Sequence, residues 1–287
     1  MIPNPLFLMQ PKFFWANVRT IGAKVGYTEK SKGKGKGQGK VKIPTVTEIC
    51  TAYAQLGLSS FHIVNGEGAL TELGEKLVAY FEFRARSLNE YVRPRLMDGD
   101  RAKKVHDDLK ATTKSKRPST MNKQKGIKKA PAYFTCIINM LIDKYARGMK
   151  FDSDPRDLTT VTLDGMPLRT LARRVDGAFP STINPVAIWE IKEYYYTTSF
   201  GSRVADGVYE TLLDGLELEE IREHEDIEIQ HLLMIDAYYT WWVCGKSYLC
   251  RIIDMLHMGY VDEVLFGFEV MERLPQVVGD WMSQNSG

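Results

Sequence analysis

Three side chains between residues 173 and 203 could do chemistry together: Asp176, Glu190 and Lys192. Residues 186–196 form an apolar run suited to a strand. Successive strand side chains alternate faces, so Ile188, Glu190 and Lys192 share one face while Trp189 and Ile191 share the other. Asp176 ends the strand expected before it, at a hairpin marked by Gly177, Pro180 and Pro185. Charge in a buried strand is costly unless it is paired or holds a metal. Two carboxylates and a lysine suit phosphodiester hydrolysis, in which a hard cation neutralises the transition state and lowers the pKa of bound water. Magnesium prefers oxygen ligands and keeps several waters, so Asp176, Glu190 and the Ile191 carbonyl would suffice as protein ligands. Lys192 would orient or deprotonate the attacking water and offset charge on the phosphate.

The tripeptide alone decides nothing, because acid-x-Lys also occurs at Asp108-Leu109-Lys110, in a lysine-rich segment that reads as a solvated helix face. Context has to discriminate. The chain has 287 residues, 44% of them hydrophobic, enough for one large domain or two ordinary ones. A net charge of +2 conceals an asymmetry: residues 1–150 hold 28 Lys and Arg against 12 Asp and Glu, and the remainder holds 10 against 24. The first half is thus suited to a polyanion, and the second carries the acids.

Four cysteines at 50, 136, 244 and 250 lack paired spacing, which predicts free thiols in a reducing cytosol rather than disulfides or zinc. His224 and His231 flank an acidic run without a third soft ligand. The apolar N-terminus is broken by prolines and has no initial basic region, so it does not read as a signal peptide. No apolar run is long enough to span a bilayer. No GxxxxGK[ST] loop is present, so no nucleotide cofactor is expected.

Residues 30–42 alternate Lys with Gly and read as a flexible cationic arm, with Lys32, Lys34, Lys36 and Lys40 as phosphate contacts or as a solubilising linker. Helices are expected from about Thr45 to Leu56 and from Thr71 toward Leu88, with a short extended piece at 61–64. The second helix looks like the one that follows the loop in winged-helix modules. Residues 101–130 read as a basic linker or DNA-contacting loop offering Lys123, Lys125, Lys128 and Lys129. From there the pattern predicts a helix at 132–147, strands at 158–163, 168–175 and 186–196, and a helix from a Ser202 cap to about Leu213. A strand at 231–242, a helix at 247–258 and a final strand at 261–270 complete it. Arg203, opening a helix, suits phosphate. Glu210 is a possible extra acid or simply an exposed helical one. The Tyr194-Tyr195-Tyr196 and Trp241-Trp242 clusters read as packing or base stacking, and Asp236 and Asp254 as structural acids.

That order, with an acid at the end of the second strand and Glu190-Ile191-Lys192 in the third, resembles the PD-(D/E)XK nuclease superfamily over residues 131–275. Val175 stands where the family commonly has proline, and Asp143 where it commonly has a glutamate on the first helix. The resemblance implies an α/β fold with a restriction-endonuclease-like core, a mixed central sheet flanked by helices, at residues 131–287. Residues 1–100, outside the resemblance, are expected to form a mainly helical, winged-helix-like DNA-binding part. The resemblance further implies a Mg²⁺-dependent type II restriction endonuclease, with Mn²⁺ as a substitute, leaving 5′-phosphates on double-stranded DNA. A homodimer in a prokaryotic cytoplasm is expected on the same ground. Two other readings stay open: a nuclease of repair, mobile-element processing or phage defence, and a non-catalytic DNA-binding protein on an inactive nuclease fold.

Overall fold

The structure, a computed structural model, describes residues 1–29, 39–122, 129–196 and 201–284. Its first part is helical. Helices α1 (Pro5–Leu8) and α2 (Lys12–Val25) precede α3 (Val46–Gln55), whose start is fixed by a capping box in which Thr45 and Glu48 satisfy each other's backbone N–H. Thr71 caps α4 (Glu72–Arg86), which continues through a wider π turn, Ser87–Val92, into α5 (Arg93–Arg95). Phe14, Trp15, Tyr53, Tyr80 and Phe81 from these helices form a shared aromatic core. The extended piece expected at 61–64 is a turn, closed by a single bridge between Val64 and Leu70.

Asp98 caps α6 (Gly99–Thr113), which occupies the first half of the segment expected to be a basic linker. Only Ala102, His106 and Leu109 are buried on it, one residue per turn, and they pack against α7 (Tyr133–Tyr145). So sparse an apolar stripe is hard to see among eleven cations. Helix α7 buries almost every side chain because it lies between α6, the sheet and the last helix.

Strands β1 (Thr160–Leu163) and β2 (Met166–Thr170) form a separate antiparallel hairpin. The main sheet has four strands in the order β3-β4-β5-β6: β3 (Gly177–Phe179), β4 (Ala187–Glu193), β5 (Gln230–Asp236) and β6 (Glu263–Phe266). Strand β3 pairs antiparallel with β4, whereas β4, β5 and β6 are mutually parallel. Parallel neighbours require crossovers, supplied by α8 (Ser202–Glu225) and α9 (Lys246–His257). These two helices cover one face, and α7 with α10 (Glu269–Gln284) covers the other. The described residues are therefore mixed α/β with two small sheets. No helix among the described residues is long and apolar enough to cross a membrane.

Several boundaries differ from the sequence reading. The strand expected at 168–175 ends at Thr170 and belongs to the small hairpin, so Asp176 immediately precedes β3 rather than closing its predecessor. Helix α8 runs on past the expected end at Leu213, through the acidic segment to Glu225, and Ser202 lies inside it, after an N-cap Gly201 that makes no side-chain cap bond. Strand β5 stops at Asp236, followed by a π turn, Tyr238–Cys244. The final strand is four residues long and gives way to α10, which the sequence reading lacked. Trp281 of α10 stacks on Trp189 of β4 with ring planes 7° apart.

A buried ion pair ties the helical first part to the α/β part. Arg84 of α4 donates to both carboxylate oxygens of Asp254 in α9, at 3.0 and 3.1 Å, and the Tyr80 hydroxyl donates to the same acid. Arg84 is 1% exposed and Asp254 3%. Removing one member leaves the other charge unpaired away from water. Asp254→Ala should therefore lower unfolding free energy by roughly 3–5 kcal/mol in denaturant titrations, and a wild-type midpoint would refute that role for the pair.

Candidate functional site

Strand β3 sets the register that joins the predicted residues. Gly177 lies opposite Trp189, which places Asp176 beside Glu190. The Asp176 N–H donates to the Trp189 carbonyl at 3.1 Å and to Glu190 Oε1 at 3.2 Å, and the Ile191 N–H donates back to Asp176 Oδ2 at 2.8 Å. Only glycine fits at 177, since a Cβ there would sit 2.1 Å from the Trp189 ring. Because a strand residue points its N–H and C=O to the same edge, the Ile191 carbonyl also faces the edge where Asp176 sits.

Glu190 and Lys192 share one face, as the alternation predicts, and that face is turned toward α8. Lys192 Nζ donates to Glu190 Oε2 at 2.6 Å and to Glu210 Oε2 at 2.9 Å. Gly207 of α8 leaves room for the lysine stem, for a Cβ there would lie 3.2 Å from Lys192 Cδ. Two residues missed in the sequence complete the cluster. Arg173 Nη1 donates to Glu190 Oε1 at 2.9 Å and to Asp214 Oδ2 at 2.6 Å, while its Nη2 donates to Glu190 Oε2 at 3.3 Å. Asp214 stands four residues after Glu210, on the same face of α8. A helix expected to end at Leu213 hid that spacing.

Beside the cluster lies a cleft of about 960 Å³, lined by Asp176, Ile191 and Glu193, by Arg173 and Arg203, and by Tyr194–Tyr196 among others. Asp176 reaches this space, whereas Glu190 is 0% and Lys192 6% exposed and both lie behind its wall. Arg203 lines the cleft, and Glu210 meets Lys192 with its own side chain half-exposed. Lys40 and Lys129 are exposed, and neither lines the cleft. Lys32, Lys34, Lys36, Lys123, Lys125 and Lys128 lie outside the described residues. Asp143 on α7 accepts from Arg117 at 3.0 Å and does not join the acids.

Electrostatics divides the cluster. The surrounding walls, then the Glu190 charge, push Asp176 up to about 6. Burial would raise Glu190 as well, but Lys192 and Arg173 outweigh it and hold that acid below the usual carboxylate range. Burial opposes the charge on Lys192, yet Glu190 and Asp176 overcome it and keep the ammonium firmly protonated. Burial, then Glu190, raises Asp214 to about 7. Four carboxylates face two cations, and Asp214 Oδ1 is buried without a partner. That surplus of hard oxygen fits a divalent cation. Among the described residues no three His, Cys, Asp or Glu side chains are grouped to hold a metal; a cation here would draw on Asp176, Glu190 and the Ile191 carbonyl.

Residues 97–281, more than half of the chain, match the family described as Domain of unknown function (DUF7687). The chain belongs to that family. Residues 1–91, outside the DUF7687 match, match a second family described as Domain of unknown function (DUF7690). No curated protein and no solved structure matches the chain. The charged cluster and the cleft-facing ends of β3 and β4 all fall within the DUF7687 match.

Acids next to the cleft also respond to burial. Asp236, at the end of β5, accepts from the Met97 and Ala237 N–H groups and from the hydroxyl of cleft-lining Tyr195, and burial pushes it up to about 8. A carboxyl raised on folding favours the folded state while protonated. Its contribution is complete below about pH 4, the ordinary Asp value, and is lost as pH rises toward 8. In EDTA, the Asp236→Asn protein should lose less melting temperature between pH 5 and pH 8 than the wild type, and an identical pH slope would show that Asp236 carries no such linkage.

Proposed function

We propose that the chain is a Mg²⁺-dependent endonuclease acting on duplex DNA, with a restriction-endonuclease-like core and a winged-helix-like first part that helps hold the duplex. The observation that carries this reading is the hydrogen-bonded meeting of Asp176, Glu190 and Lys192 at the edge of β4 beyond β3, next to an arginine-bearing cleft. A divalent ion bound there would supply an acidified water and neutralise charge on the phosphate. Asp176 and Glu190 would hold it, with the Ile191 carbonyl between them. Lys192, an ammonium in its resting state, would stabilise charge building on the phosphoryl oxygens and orient the water. Attack on phosphorus in line with the departing 3′-oxygen leaves a 5′-phosphate, and the 3′-oxygen takes up a proton. Arg203, which lines the cleft from the first turn of α8, would contact the DNA backbone.

Type II restriction by a homodimer is the form this reading takes first, with repair, mobile-element processing and phage defence sharing the chemistry. A second reading, a non-catalytic DNA-binding protein on the same core, is favoured by one observation: Arg173 already satisfies both Glu190 oxygens. Incubation of plasmid and linear DNA with Mg²⁺ separates them. Discrete fragments mean restriction, nicking or smearing means another nuclease role, and retention without cleavage means the second reading. Asp176→Asn and Lys192→Gln should each slow cleavage by about 100-fold or more while leaving DNA retention in EDTA unchanged. Full activity in the Asp176 variant removes the site assignment.

A further inference from the structure

Arg173 is the cation of the cluster that has a way out. It comes from the loop between β2 and β3, its side chain is 23% exposed, and it lines the cleft. The acids it holds are fixed: Glu190 sits within a paired strand, Asp214 within α8, and both carboxylates are fully enclosed. Its guanidinium makes a two-pronged contact with Glu190 and bridges to Asp214, with Glu210 Oε2 3.5 Å away. It therefore satisfies the Glu190 oxygens that a divalent ion would need, while Asp214 Oδ1, buried in the same cluster, has no partner.

We propose that Arg173 is an exchangeable counter-cation. It neutralises Glu190 and Asp214 while the site holds no divalent ion, and it swings into the cleft to grip a DNA phosphate when the ion arrives. The inference rests on the metal-site reading above and adds a phosphate-binding role to a residue that reading does not use. A guanidinium fork matches the paired oxygens of phosphate as well as those of carboxylate, so the arginine loses little by changing partners. Metal and DNA then bind with positive coupling, each favouring the arginine position the other needs.

The test measures binding, not turnover. Without DNA, Mn²⁺ titrated into the Arg173→Gln protein and followed by electron paramagnetic resonance should bind at least about tenfold tighter than to wild type, since a charge-assisted contact to Glu190 no longer competes. Duplex DNA in Ca²⁺ should bind this variant about tenfold more weakly, an effect that a purely structural arginine would not produce. Glu190→Gln serves as the control that loses Mn²⁺. If Arg173→Gln fails to fold, Arg173→Lys keeps the charge without the fork and should bind Mn²⁺ with intermediate affinity. Mn²⁺ binding to wild type with no gain in a folded Arg173 variant, or unchanged DNA affinity, overturns the exchange alone. Absence of Mn²⁺ binding in wild type and every variant overturns the metal site itself.

Discussion

A carboxylate with no exposed surface, Glu190, sets the terms for everything around it. Taking one charge out of water costs several kcal/mol, and that is tolerable only where opposite charges and hydrogen bonds surround it. Lys192 supplies one charge from two residues along the same strand, and Arg173 supplies another from a loop. Neither cation alone would suffice, because each also answers to an acid on α8: Lys192 to Glu210 and Arg173 to Asp214. The helix and the strand edge are thus joined by ions as well as by the apolar packing of Ile188 against Leu218 and Ile221.

The topology puts these charges at one place. Parallel pairing of β4 with β5 requires α8 to cross back over the sheet, which carries its first turns past the end of β4. Strand β3 is only three residues long, so its pairing with β4 ends at Trp189, while β5 continues along the other edge to Glu193. The cleft opens where that pairing stops. A longer β3 would have covered the Ile191 edge and closed the approach to Asp176.

Much of the candidate cluster was legible in the sequence because period-two alternation is robust in a short apolar run. Residues 186–196 could place Glu190 and Lys192 on one face without any knowledge of the fold. What was hidden depended on partners distant in the chain. Asp214 belongs to a helix whose acidic second half, ELEEIREHE, looks solvated from its composition, although Leu218 and Ile221 bury one face. Arg173 reads as one of two adjacent arginines, with nothing local to say which turns inward. Residues 261–270 looked like one strand because Val, Leu and Phe continue across Gly267; a positive φ there, with the Arg95 carbonyl 2.1 Å from where a Cβ would stand, turns the chain into α10. Helix α6 failed the opposite way, since three buried side chains in fifteen residues leave little periodic signal.

Trp189 belongs to both halves of this account. One face of its indole takes the space that a side chain at position 177 would fill, and the ring lies flat against Trp281 near the far end of α10. Two stacked indoles in a close-packed interior behave as a rigid spacer. The distance from the closing helix to the Asp176 turn is therefore gauged by ring thickness. Slimming either tryptophan would alter the spacing of the acids without touching a single charge.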